Sequence, residues 1–266
     1  FSDATYSALR ERSVGLGVMG LHSFFQQKMI PLESVMSKVW NKKIFEHIQK
    51  DVDKASKDLA EERGACPDAA DYGIKERFSN KTAIAPTASI SIICGGTSPG
   101  VEPIAANSFT HKTLSGSFNV RNRYLEKILE KHNKNDDETW SGITTNQGSV
   151  SHLDFLTQQE KDVFKTAFEL DQKWIVELGA DRTPHISQAQ SINIFVPADI
   201  HKKELHQIHF QAWKKGLKSL YYCRSKSIQR AENVNDAKLT DVTANVYKSK
   251  NQQNEEQEYE ECLSCQ

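Results

Sequence analysis

Residues 191–223 read SINIFVPADIHKKELHQIHFQAWKKGLKSLYYC, and this stretch decides the fold class. Ser191 to Val196 alternates as a half-buried strand does and stops at Pro197. Asp199 is placed to cap a helix over 200–218 whose apolar face is Leu205, Ile208, Ala212, Trp213 and Leu217. After Gly216, Lys218 to Cys223 reads as a second short strand. A strand, an amphipathic helix and another strand in succession mean α/β.

Upstream, Val39, Ile44, Ile48, Val52, Ala55 and Leu59 recur at helical spacing among Lys, Asp and Glu, and Gly64 marks the end of that helix. Residues 64–81 read as loop. A further helix is expected over 156–179, with Val163, Phe164, Ala167, Phe168, Ile175 and Leu178 on one stripe. Beyond about residue 224 aliphatics thin out, and Asn251 to Gln266 holds five Glu with no Lys or Arg. So little apolar surface cannot offset the entropy of ordering, and 225–266 is expected to be a flexible polar tail behind a folded region spanning 1–224.

Composition bounds the function. The 266 residues suit one large domain or two small ones. A net charge of −1 lacks the basic footprint of a general nucleic-acid binder. No window reaches the roughly 18 consecutive apolar residues of a membrane span, and Phe1 to Thr5 has neither a basic nor an apolar leader pattern. Five cysteines, an odd number in a chain this long, do not form a secreted disulfide framework, so a reducing, cytoplasmic setting is expected.

Gly15-Leu16-Gly17-Val18-Met19-Gly20 fits G-x-G-x-x-G, but Arg10 to Ser13 makes a poor strand and 35–60 is helical where the second strand of a dinucleotide fold belongs. These glycines are read as permitting close backbone packing. In Ala85-Pro86-Thr87-Ala88-Ser89-Ile90-Ser91 small and hydroxyl residues crowd a turn, which suits either an anion held on backbone N–H and hydroxyl groups or a plain helix cap. Cys262 and Cys265 form a C-x-x-C near the last residue, two of the four ligands a structural zinc needs. A dithiol on an acidic arm suits thiol–disulfide exchange, and an inert exposed pair is the plain alternative. Tyr221 and Tyr222 are neighbours, so in a regular strand they face opposite sides and stack only where the backbone departs from regular extension. His201, His206 and His209 read as surface histidines.

Together these segments resemble the large, catalytic subunit of class I ribonucleotide reductases. Val14 to Leu21 resembles the family's GLGVxGL segment, Leu59 to Gly64 its LAxExG helix end and Ala85 to Ser91 its APTASTS loop. Val101-Glu102-Pro103 resembles its xEP, Ser187 to Ile194 its SQSLNI and Trp213 to Tyr222 its WKxGLKTxxYY, while Cys262 and Cys265 match its terminal dithiol. The resemblance implies the C-terminal half of a ten-stranded α/β barrel followed by a flexible tail. It implies that Pro86, Thr87, Ala88, Ser89, Ile90 and Ser91 hold the diphosphate of a ribonucleoside diphosphate. Tyr221 and Tyr222 would relay a radical from a small, metal-containing partner subunit, and Cys262 and Cys265 would reduce the active-site disulfide before thioredoxin or glutaredoxin reduces them. The helix over 200–218 lies where the family docks the small subunit's C-terminal peptide.

The chain departs from the family pattern as well. No Asn-Pro-Cys-x-Glu string, the family's thiyl-radical loop, occurs in the 266 residues, and Ile90 replaces a hydroxyl residue. The expectation is a chain inactive alone, the product of a split gene or part of a longer one. It would hold no cofactor of its own, would need the N-terminal part of the large subunit, and would sit in the cytoplasm, the host's where the gene is a phage's. An adenosylcobalamin-dependent reductase, or a thiol-redox or zinc-binding module, is the alternative. The adjacent tyrosines speak against the first, which needs no long relay.

Overall fold

The computed structural model describes residues 1–113 and 116–225, with side chains of 111–118 excepted. Cys262, Cys265 and the expected tail lie outside the described residues. Helices α1 (Ser2–Glu11), α2 (Leu21–Gln27), α3 (Val35–Arg63), α4 (Pro67–Ala70) and α5 (Ala88–Ile93) precede a hairpin of β1 (Ser108–Thr113) and β2 (Gly116–Arg121). Helices α6 (Arg123–Lys131), α7 (Asp137–Thr145), α8 (Gln158–Val163) and α9 (Gln172–Arg182) follow, then β3 (Ile194–Val196), α10 (Lys202–Lys214) and β4 (Cys223–Ser225).

The site is built on four parallel extended segments. Leu16 bridges Thr82, Ile84 bridges Gln190, and β3 pairs with β4 from Ile194 opposite Cys223. Backbone bonds run along this order, Leu16 N to Lys81 O (2.9 Å), Ile84 N to Ala189 O (3.2 Å) and Tyr221 N to Ile192 O (2.8 Å). Among the described residues the outer two segments, around Leu16 and at β4, pair on one side only. The mixed α/β architecture agrees with expectation, and among the described residues these segments form an open parallel array, not a closed barrel.

Gly17 shows why the glycines stand where they do. A Cβ there would lie 2.6 Å from the Ala83 carbonyl oxygen. Gly17 thus admits a neighbouring backbone, as the packing reading requires, while Gly20 adopts φ 82° against the Thr97 side chain.

The long helix α3 begins at Ser34, whose hydroxyl accepts from Ser37 N at 3.2 Å, and ends at Gly64 with φ 81°. The helix expected over 156–179 is two helices. Thr157 and Glu160 close a capping box on α8, which stops at Phe164, and α9 restarts after Asp171. Side chains satisfy the backbone in the break: Thr166 N donates to Glu169, Asp171 N to Glu33, and the Gln172 amide to the Ala167 and Leu170 carbonyls. The interruption lets Val163 and Phe164 enter the core beneath α6 and α7 while Leu170 and Ile175 enter a separate cluster with Leu32 and Ile192. One straight helix could not serve both.

Three further expectations are corrected. His201, not Asp199, caps α10, its Nδ1 accepting from Lys203 N at 3.1 Å, and the helix ends at Lys214. Trp213 is 73% exposed rather than part of the packed face, which consists of Ile208 and Ala212 with partly buried Leu205. The last strand is Cys223–Ser225, so Tyr221 and Tyr222 precede it. No helix among the described residues is long and apolar enough to cross a membrane.

Candidate functional site

The loop Pro86–Ser91 leads out of the second parallel segment into α5. Thr87 caps that helix in the left-handed region, φ 53° and ψ 30°. For a β-branched residue this costs on the order of 1–3 kcal/mol, and such strain gathers where backbone is shaped for a ligand. The Thr87 hydroxyl oxygen accepts from Gly100 N at 2.7 Å, and Gly100 is itself held close, since a Cβ on it would lie 2.9 Å from Ala85 O. The first intrahelical bond is Ser91 N to Thr87 O, so the N–H groups of Ala88, Ser89 and Ile90 precede it and point out of the helix start.

The six loop residues are not alike. Ser89 and Ile90 are exposed, and Pro86, Thr87 and Ala88 are half-buried. Ser91 is buried and its hydroxyl donates to Ala88 O at 2.7 Å, so it braces the turn rather than facing outward. The groups this turn presents outward are the three N–H donors and the exposed Ser89 side chain.

The Tyr221 and Tyr222 rings pack against each other, tilted at 49° with centroids 4.1 Å apart, and are 44% and 40% exposed. They sit outside β4, and two successive amides turn toward the neighbouring segment: Tyr221 N donates to Ile192 O, Tyr222 N to Asn193 Oδ1 at 3.0 Å. Ile194 N then donates to Tyr222 O at 2.9 Å. The Arg224 guanidinium lies 5.8 Å from the Tyr222 ring centre.

Glu102 and Asn193 join the loop to the tyrosines, and neither stood out as a site residue in the sequence. Asn193 Nδ2 donates to Glu102 Oε2 at 2.5 Å, with both side chains buried. The pairing spans 91 positions, so only the fold brings it together. The available signals were Glu102, an acid set among Val101, Pro103 and Ile104, and the resemblance of 101–103 and 187–194 to family segments, which gave neither residue a role.

Burial pushes the Glu102 carboxyl up to about 7, against the downward pull of the Asn193 amide and Arg224. The folded value exceeds the ordinary 4.5, so between these values the folded chain binds more protons than the unfolded one. The stability this contributes is whole below about pH 4.5 and is lost as pH rises through 7. Glu102→Gln should therefore flatten the fall in urea midpoint between about pH 5 and pH 8. An unaltered pH dependence would contradict the assignment. Close by, burial pulls His22 down to about 3, and its neutral Nδ1 accepts from Ile104 N at 3.1 Å.

On the outer side of α10, Phe210 and Trp213 lie 5.6 Å apart and His206 stacks on Phe210. His209 Nδ1 contacts Leu205 O at 2.8 Å. No group of three or more potential metal ligands occurs among the described residues.

The family model for the ribonucleotide reductase barrel domain matches residues 1–72 and 68–223. The chain belongs to that family. A large subunit of ribonucleoside-diphosphate reductase from Invertebrate iridescent virus 6 is 49% identical over 237 residues, which is 88% of this chain and 24% of the relative. The corresponding large subunit of Invertebrate iridescent virus 3 is 43% identical over 240 residues, 89% of this chain and 38% of the relative. Among solved structures, the Actinobacillus ureae class Id ribonucleotide reductase alpha subunit superposes with a TM-score of 0.77 at 38% identity. That match covers 84% of this chain and 40% of the other. The reductase-barrel chain thus spans less than half the length of these relatives.

Proposed function

We propose that this chain forms part of a class I ribonucleotide reductase large subunit and takes part in reducing ribonucleoside diphosphates to deoxyribonucleotides. The observation that carries the reading is the Tyr221–Tyr222 ring pair in contact, linked by hydrogen bonds through Asn193 and Glu102 to the segment that braces the Pro86–Ser91 loop. A phosphate would sit on the N–H groups of Ala88, Ser89 and Ile90 with the hydroxyl of Ser89. The tyrosines would carry oxidising equivalents to a cysteine contributed by upstream polypeptide, because the Asn-Pro-Cys-x-Glu string is absent from these residues. The metal-radical cofactor belongs to the small subunit. The exposed His206, Phe210 and Trp213 stripe offers that subunit's terminal peptide an apolar face. The contacting pair favours this reading over a cobalamin-dependent one, whose radical forms beside the substrate.

The test is reconstitution. The chain, an upstream polypeptide carrying the missing string and the small subunit should together reduce a ribonucleoside diphosphate, and the chain with the small subunit alone should not. Turnover without upstream polypeptide, or none with all three, contradicts the proposal.

Cys262 and Cys265 would return the active site to its dithiol form and be reduced in turn by thioredoxin or glutaredoxin. Cys262→Ser or Cys265→Ser should then block turnover with thioredoxin and spare it with a small dithiol that enters directly. Equal loss with both reductants would give the pair another role.

A further inference from the structure

We infer that Asn193 is the positioning residue that makes the Tyr221 and Tyr222 rings meet, by drawing the Tyr222 amide out of strand register while Glu102 anchors its other end. The inference rests on the relay reading for its consequence in catalysis, and on geometry alone for the positioning itself. In a regular strand successive side chains point to opposite faces and successive amides alternate in direction, so adjacent phenols cannot meet. Here Tyr221 N and Tyr222 N both donate toward 192–193, the first to a backbone carbonyl and the second to the Asn193 side chain. Regular pairing starts immediately afterwards, with Ile194 opposite Cys223. The side chain that captures the second amide therefore sits where the alternation fails, and that failure brings the ring centroids to 4.1 Å.

Asn193 suits the task chemically. One carboxamide supplies an acceptor for Tyr222 N–H and a donor for Glu102, and complete burial fixes it between the two. Aspartate would keep the acceptor for Tyr222 N–H but lose the donor to Glu102, and would repel Glu102 once that carboxyl is ionised. Alanine would hold neither. Glu102 is two residues from Gly100, whose N–H is bound by Thr87, so the anchor is tied to the segment that braces the loop.

The experiment reads Tyr222 N–H exchange by NMR on the full chain, and kcat and KM on the reconstituted reductase. Asn193→Ala should speed Tyr222 amide exchange by about tenfold or more, roughly the worth of one hydrogen bond. Asn193→Asp should speed it too once the pH is above the Glu102 value of about 7 and the anchor is lost, while Val176 in α9 keeps its wild-type rate. Adding Glu102→Gln to Asn193→Asp restores a donor–acceptor pair with its polarity reversed, and should return the Tyr222 rate to near wild type. In the reductase, kcat should fall in Asn193→Asp with KM for the nucleotide unchanged. Wild-type exchange in both single variants, no recovery in the double variant, or faster exchange with unaltered kcat would each overturn the inference. A wild-type assembly without ribonucleotide reduction would defeat the functional reading instead, and the exchange rates would still decide what Asn193 holds.

Discussion

Tyr221→Phe and Tyr222→Phe should each abolish ribonucleotide reduction in the reconstituted enzyme and leave nucleotide binding as it was. Phenylalanine preserves ring size and planarity, so the ring contact, with centroids 4.1 Å apart, survives. The backbone bonds that place the pair, Tyr221 N to Ile192 O and Ile194 N to Tyr222 O, do not involve the phenols. What disappears is the O–H. A relay through this position needs an electron and a proton to leave the same side chain, and a benzene ring has no acidic proton to release. The loss is therefore all-or-none in turnover. Both rings are nearly half exposed, so stability should change by well under about 1 kcal/mol. Equilibrium binding of a ribonucleoside diphosphate, measured beside turnover, separates the cases. Normal turnover in either variant removes the relay role, and lost binding would mean the tyrosines shape the substrate site.

Arg182→Met should lower stability by about 3–5 kcal/mol, the largest effect expected of a single change outside the site. Arg182 is 1% exposed. Its Nε donates to Gln190 Oε1 at 2.5 Å, its Nη1 to Asn41 Oδ1 at 3.3 Å, and its guanidinium lies over the Phe45 ring at 5.8 Å. It thus fastens α3 and α9 to the segment that bridges Ile84. Burial pulls the guanidinium down to about 9, which leaves it charged at neutral pH. Methionine fills the volume but strands two buried amide oxygens, and unmet acceptors cost more than the bond they once made was worth. The comparison variant is Arg182→Met with Asn41→Leu and Gln190→Leu, which removes the stranded groups together and should recover much of the loss. Urea midpoints of the three proteins check this. A single variant within about 1 kcal/mol of wild type would refute the fastening role.

How far the sequence alone reached depended on how local each cause was. Helix α3 was readable because its stripe from Val39 to Leu59 and its Gly64 end are local to one segment, while its Ser34 cap emerged with the structure. The break between α8 and α9 was hidden because a continuous apolar stripe served two separate cores, and Gln172 and Glu33 satisfy the interrupted backbone only once folded. The hairpin of β1 and β2 escaped notice because Thr110, His111 and Lys112 break any apolar alternation. The adjacency of Tyr221 and Tyr222 is a sequence fact, and the expectation that stacking needs irregular backbone agrees with the structure. Its means, an amide from Asn193 and an anchor at Glu102, became visible only in three dimensions. Likewise the loop's hydroxyls could be counted in the sequence, but not that Ser91 turns inward while Ser89 turns out.

The parallel segments around Leu16 and at β4, each paired on one side among the described residues, carry a thermodynamic consequence. An open strand edge is a template for any backbone that fits it. Whatever supplies the next strand stabilises this fold by mass action, in proportion to the logarithm of its local concentration. A strand tethered in the same polypeptide presents an effective concentration near the millimolar range and makes the fold insensitive to dilution. A strand arriving on a second polypeptide makes the melting point a function of how much of both is present. For this open array, the dilution curve of a stability measurement would therefore report the covalent origin of the neighbouring strands.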